Sequence, residues 1–206
     1  SSAASDVYKR QDLKKKGLKT PHFIECNLIK IKKLEGIIKK IIKSKGPIDI
    51  LVNNAANDDR HSTDQVDEEY WNNRMDVNLK HFFFTIKAVL KGMIKNNGGA
   101  IVNLSSVSWM LGEGDKVAYE TAKSAVIGLT RSFAREFGKY NIRCNSVTPG
   151  SIATERQIMH WLTPKYKKFI LDKQCLKRQL KPDDVASLVV HLSSDVSSGC
   201  TKQNFI

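Results

Sequence analysis

The sequence predicts an α/β fold, a doubly wound parallel sheet in a three-layer arrangement with helices on both faces. Two observations predict it. Short apolar runs rich in Val and Ile, "IDILVNNA" (48–55), "GAIVNLSS" (99–106) and "IRCNSVTPG" (142–150), are bounded by turn residues, and continuous apolar runs of that length suit strands buried on both faces. Between them lie longer segments of helical character, and strands alternating with helices call for right-handed βαβ units and a parallel sheet.

Taken in order, "HFIECN" (22–27) is read as the first strand. A helix follows over about 31–45, amphipathic in "IKKLEGIIKKIIKSK" and closed by Gly46 and Pro47, which respectively favour and enforce a helix stop. After the 48–55 strand comes a long helix over about 67–96, closed by Gly98-Gly99. The 99–106 strand leads to a helix over about 115–137, and the 142–150 strand ends in a Pro-Gly turn.

With 206 residues the chain is sized for one domain, 1–206, with residues 1–11 reading as non-native sequence ahead of it. No run approaches the roughly 18 apolar residues of a membrane span, and the first residues lack the apolar core of a signal peptide. A cytoplasmic protein is expected. The four cysteines are far apart, without CxxC or histidines at ligand spacing, so neither a metal site nor a disulfide framework is indicated. The net charge of +13 comes from lysines scattered along the chain and alternating with apolar residues. That pattern is a solvated helix face, and it excludes nucleic acid as the expected partner, because no basic run interleaves with aromatics that could stack on bases.

In an open parallel sheet, ligands bind beyond the carboxyl ends of the strands. Asn53, Asn54, Ser105, Ser106, Pro149 and Gly150 all fall at such ends. "YETAK" adds a tyrosine and a lysine four residues apart, on one helix face with Cβ atoms about 5–6 Å from each other.

Five motifs in this order, "NNAA" (53–56), "MDVNL" (75–79), "VNLSS" (102–106), "YETAK" (119–123) and "SVTPGSIAT" (146–154), resemble those of the short-chain dehydrogenase/reductase family, whose fold is Rossmann-like. The resemblance runs from "HFIECN" to near the end of the chain. It implies a nicotinamide cofactor, NAD or NADP, and catalysis by Ser106, Tyr119, Lys123 and Asn78. The physical reasons are legible. A phenol of pKa about 10 is a poor base at neutral pH, and an adjacent ammonium favours its phenolate. Ser106 can hydrogen-bond the reacting oxygen, while Ser105 is expected only to satisfy backbone groups. Asparagine is unfavourable inside a helix, and in the resembled family the equivalent of Asn78 distorts the helix and holds a water that links the lysine to solvent.

For the cofactor, the resemblance implies Asn27, Asn53, Ala55, Tyr119, Lys123, Pro149, Gly150 and Thr154. Asn53 would tie the central strands together beside the ribose, Ala55 would let the cofactor lie close, and Thr154 would grip the carboxamide. Asn27 stands where the family has an aspartate, and Ala56 where it has a glycine. The family's GxxxGxG turn, which cradles a pyrophosphate at a helix N-terminus, does not occur in the 206 residues. The chain is therefore expected to be truncated at its N-terminus.

The segments "NNAANDDRH" (53–61), "EEYWNNRMDVNLKHFFF" (68–84) and "SSVSWMLG" (105–112) are more particular. They resemble the aldose 1-dehydrogenases of the family, nearest to those acting on D-xylose, and imply oxidation of a sugar at its anomeric carbon to the lactone. Asn57, Asp58, Trp109 and Gln157, with Ser106, would meet the sugar, while Arg60 and His61 are expected to be structural or to support the site from behind the residues that touch the sugar. Alternatives are a reductase of 3-oxoacyl or other carbonyl substrates, or an inactive Rossmann-like binding fragment. A homo-oligomer formed through the helices at 68–95 and around Tyr119 is also implied.

Overall fold

The structure, a computed structural model, describes residues 12–206; the expectation about residues 1–11 lies outside them. The elements that position the site are α1 (Ile31–Lys45), β1 (Ile50–Asn53), α2 (Glu68–Met75), α3 (His81–Lys95), β2 (Gly99–Leu104), α4 (Ser108–Leu111), α5 (Val117–Phe137), β3 (Ile142–Val147), α6 (Glu155–His160), α7 (Pro164–Lys173), α8 (Pro182–Ser193) and β4 (Asn204–Phe205). The strands form one parallel sheet in the order β1-β2-β3-β4, with Asn53 beside Asn103, Asn103 beside Ser146 and Ser146 beside Asn204.

Successive residues of a strand point to opposite faces, and each face carries its own core. Ile101, Ile142 and Cys144 meet Leu34 and Ile38 of α1, Ile86, Val89, Leu90 and Met93 of α3, and Phe133 and Ala134 of α5. On the other face Val102, Leu104 and Val147 meet Leu192 of α8. Fully burying one such aliphatic side chain is worth about 1.5–3 kcal/mol. At Gly99, where β2 starts, a Cβ would lie 2.7 Å from Met93 Cγ and Sδ, so a larger residue there would displace the buried Met93 side chain.

The expected helices over 31–45 and 115–137 are present, and the three apolar runs form strands at their centres. Two expectations need correction. Residues 22–27 form no strand; a parallel strand exists only through a ladder of hydrogen bonds, and the backbone bonds of this segment reach only the local turn, Lys30 N–H to the Asn27 carbonyl. The long helix is not uniform, because Asp76–Lys80 forms a single wide π-turn between α2 and α3. The three-layer arrangement holds over β2, β3 and β4, whereas Ile50 and Val52 of β1 remain exposed on the α8 face. No strand-order reversal occurs among the described residues. Helices α6, α7 and α8 and strand β4 follow β3 in the remainder of the chain. Two of these helices begin with proline at the first turn, where its missing N–H costs nothing.

Among the described residues no helix is long and apolar enough to cross a membrane.

Candidate active site

A cleft of about 450 Å³ opens beyond the carboxyl ends of the strands. Three connections build it. Ser105 and Ser106 follow β2, Pro149 and Gly150 follow β3, and Asp58 stands on the loop that leaves β1; Tyr119 of α5 lines the same cleft. Backbone bonds lock the first two together, from Ser105 N–H to the Val147 carbonyl (2.7 Å) and from Val107 N–H to the Pro149 carbonyl (3.1 Å).

Ser105 also donates its hydroxyl to the carbonyl of Lys123 at 2.7 Å, which fixes α5 against the end of β2 and accounts for this serine structurally. Ser106 accepts from Ser108 N–H (3.2 Å) and from the Ser108 hydroxyl (3.0 Å). Its own hydroxyl hydrogen is thereby left to point toward Tyr119 and whatever oxygen reacts there. Lys123 is buried and donates one hydrogen bond, 2.6 Å to the Leu104 carbonyl. Its Nζ stands 5.7 Å from the centre of the Tyr119 ring and 5.2 Å from that of Phe82.

The electrostatics are less simple than an ammonium activating a phenol. Burial pushes the Tyr119 phenol up to about 12, against the Ser106 hydroxyl, which favours the phenolate, and with the Asp58 carboxylate, which opposes it. Burial likewise pulls Lys123 down to about 8, with Asp58 acting the other way. In the protein alone, Tyr119 is thus protonated at neutral pH.

Asn78 lies buried in the π-turn, where the widened backbone leaves room for its amide. Its Oδ1 accepts from Asn57 N–H at 2.7 Å, while its Nδ2 has no partner among the described residues. One turn later, the buried His81 ring donates from Nε2 to the carbonyls of Ala55 and Val77, each at 3.1 Å. The π-turn and the first residue of α3 therefore anchor the loop after β1 at two points. Burial of the imidazole pulls its pKa down to about 4, so this ring is neutral.

Asn53 sits deeper than a ligand contact. Its amide donates to Asn103 (2.9 Å) and its oxygen accepts from Thr85 (2.7 Å), and Asn103 donates onward to Thr130 (3.0 Å). This buried polar row joins α3, β1, β2 and α5. Its continuation through Asn103 and Thr130 escaped the sequence reading, although "VNLSS" offered the signal of an asparagine inside an apolar strand.

The substrate candidates divide. Asp58 and Gln157 both line the cleft, and Gln157 Nε2 donates to Asp58 Oδ2 at 2.8 Å. Arg156 braces the same loop, reaching Asp58 Oδ1 (3.3 Å) and Asp59 Oδ1 (2.8 Å). Asn57 turns into its own loop instead, its Oδ1 accepting from Asp59 N–H at 2.9 Å. Trp109, on α4, does not line the cleft, and its indole N–H is buried without a partner among the described residues. Both corrections have one cause: the direction of a side chain in a loop or short helix is set by tertiary contacts that spacing does not encode.

Of the cofactor candidates, Tyr119, Pro149, Gly150 and Thr154 line the cleft. Thr154 also caps α6, accepting from Gln157 N–H at 3.2 Å. Ala55 is exposed on the loop nearby. Asn27 is exposed in a local turn, its Oδ1 accepting from Ile29 N–H at 3.2 Å, and lies outside the cleft. The residues present fit the nicotinamide-ribose half of a dinucleotide. A buried ammonium with one of its three donors used stands 5.7 Å from the centre of the Tyr119 ring, and the Pro149-Gly150 turn on the cleft wall is open.

Comparison with known proteins agrees with this geometry. The model of a family described as enoyl-(acyl carrier protein) reductase matches residues 3–206. D-Xylose 1-dehydrogenase of Caulobacter vibrioides is 43% identical over 185 residues, covering 90% of this chain and 73% of that protein. A Rhizobium meliloti protein named "Probable galactose dehydrogenase" is 41% identical over 186 residues, with the same coverages of 90% and 73%. Among solved structures, a 3-oxoacyl-[acyl-carrier protein] reductase from Brucella melitensis superposes with a TM-score of 0.87 at 30% identity, covering 99% of this chain and 76% of that one. The chain belongs to the short-chain dehydrogenase/reductase family, and it is an oxidoreductase acting on CH–OH groups.

Proposed function

We propose that the enzyme oxidises the anomeric CH–OH of a cyclic aldose, a D-xylose-like sugar, to the aldonolactone with NAD or NADP as acceptor. One observation carries this reading: the wall of the cleft facing Tyr119 is a carboxylate and a carboxamide held together, Asp58 and Gln157 at 2.8 Å, and braced by Arg156. A sugar ring presents hydroxyls that must be matched by such donors and acceptors, whereas an acyl chain offers nothing for them to bind. The names of the two sugar dehydrogenases above support the same substrate class.

The chain's own residues divide the work. Tyr119 takes the proton of the anomeric hydroxyl as general base, and Ser106 donates to that oxygen and holds it beside the phenol. An oxidised nicotinamide bound there would supply the acceptor for the hydride of C1 and a positive charge that favours the phenolate. Lys123 would hold the ribose hydroxyls with its free donors, and the proton would leave from it toward the Nδ2 side of Asn78. Thr154 and the Pro149-Gly150 turn would border the carboxamide.

Steady-state assays with a panel of aldoses and a 3-oxoacyl thioester test the assignment. We expect turnover with aldopentoses or aldohexoses, and a loss of about 10² to 10⁴ in kcat for Tyr119→Phe with cofactor affinity retained. Turnover of the thioester alone would replace this reading with that of a carbonyl reductase.

A further inference from the structure

The helix that carries Tyr119 and Lys123 has a weak start of its own. Its flanking residue, Lys116, makes no side-chain bond to the first turn, although the opening N–H groups of a helix have no partner within it. One of them is met from far away. Ala118 N–H, on the residue before Tyr119, points at Nε2 of the buried His61 ring at 3.4 Å, across 57 positions of sequence. On its other side the same ring has Nδ1 at 2.9 Å from the Tyr70 hydroxyl and at 3.3 Å from the Asp59 carbonyl. His61 N–H donates to the Asp115 carbonyl at 2.8 Å, just ahead of the helix.

A backbone amide can only donate, so Nε2 must present its lone pair. The ring is then neutral and carries its hydrogen on Nδ1, where the Asp59 carbonyl and the Tyr70 oxygen accept. We propose that His61 is a positioning residue for the reaction: as an acceptor on Ala118, it caps the catalytic helix from the loop that also bears Asp58, and so sets Tyr119 against the substrate wall. The inference rests on Tyr119 being the general base. It explains why a single loop holds both ends of the site: Asp58 lines the cleft, and His61, three residues on, grips the helix opposite. Capping here also aligns the phenol with Ser106, and displacements of about 1 Å in such an alignment are costly in rate.

Three variants and one spectrum test it. His61→Leu keeps apolar bulk and removes the acceptor; it should lower kcat about tenfold or more while changing KM for sugar and cofactor less than about twofold. His61→Gln, whose Oε1 can accept from Ala118, should return kcat to within about threefold of the parent. In the unmodified protein, long-range ¹H–¹⁵N spectra should show His61 protonated at Nδ1 and bare at Nε2. Tyr70→Phe, which removes one fixing contact, should reduce the Nδ1–H population and kcat together, and it serves if His61→Leu does not fold. Parental kcat in His61→Leu, equal impairment in the Gln and Leu variants, or an Nε2–H tautomer in the parent would each overturn the proposal. Retained activity in Tyr119→Phe would overturn the base assignment instead, leaving the tautomer result intact.

Discussion

Tyr119 and Lys123 pull against each other through burial. The site that excludes water lifts the phenol to about 12 and lowers the ammonium to about 8, so neither charge is comfortable before a ligand arrives. This has a kinetic consequence. A base held above its usual pKa gains about tenfold in reactive fraction per pH unit below that pKa, so sugar oxidation should accelerate on the alkaline side. Lys123 Nζ stands 5.7 Å from the centre of the Tyr119 ring, and a charged ammonium at that position favours the phenolate. Lys123→Met should therefore move the rising limb of the kcat/KM profile to higher pH and weaken cofactor binding, whereas an unmoved limb in a pH titration would remove Lys123 from the chemistry. At this scale the sequence was legible where spacing on a regular element decides geometry: Tyr119 and Lys123 share a helix face because they are four residues apart, and Ser106 ends a buried strand. It was illegible at Asn57 and Trp109. Asn57 spends its side chain on the Asp59 amide, a choice made by the fold of the loop, and no periodicity announces it.

Among the elements, the π-turn at Asp76–Lys80 does most to join structure to function. It buries Asn78, and with His81 it clamps the loop after β1 through Asn57 N–H and the Ala55 carbonyl. "MDVNL" marked the position, and the resemblance implied the distorted helix there; the clamp itself depends on where Ala55 arrives after β1. A neutral buried histidine also carries a pH signature. Its pKa is about 4 when folded against about 6.5 when unfolded, so between those values the unfolded chain binds the extra proton and stability falls as pH falls. The loss is complete below about 4 and amounts to at most about 3 to 4 kcal/mol. Urea midpoints measured from pH 7 to pH 4.5 should decline more steeply for the parent than for His81→Gln, and parallel declines would show that the ring is not the titrating group. The segment at 22–27 teaches the converse. Its apolar character suits a strand, but a strand is a relation between two chains of backbone, and pairing cannot be read from one of them.

Across the molecule, the alternation of strands and helices sufficed for the parallel sheet and for the edge at which the site forms. What it did not supply was the uneven cover of that sheet: one face is packed by α1, α3 and α5, the other by α8 over β2 to β4, leaving Ile50 and Val52 of β1 exposed. The surface also leaves Phe83 of α3 and Val117 of α5 open. We propose that these two helices join copies of the chain, and light scattering at micromolar concentration should then give a mass of at least a dimer; a monomer would refute it. The central claim is hydride transfer from the anomeric carbon to the nicotinamide beside Tyr119, and the most direct measurement uses an aldose deuterated at C1. Mass spectrometry of the reduced cofactor should find one deuterium per turnover, together with the sugar lactone, and Tyr119→Phe should form that labelled cofactor about 10² to 10⁴ times more slowly. Reduced cofactor formed without deuterium, or no reduction from any aldose, would contradict the account.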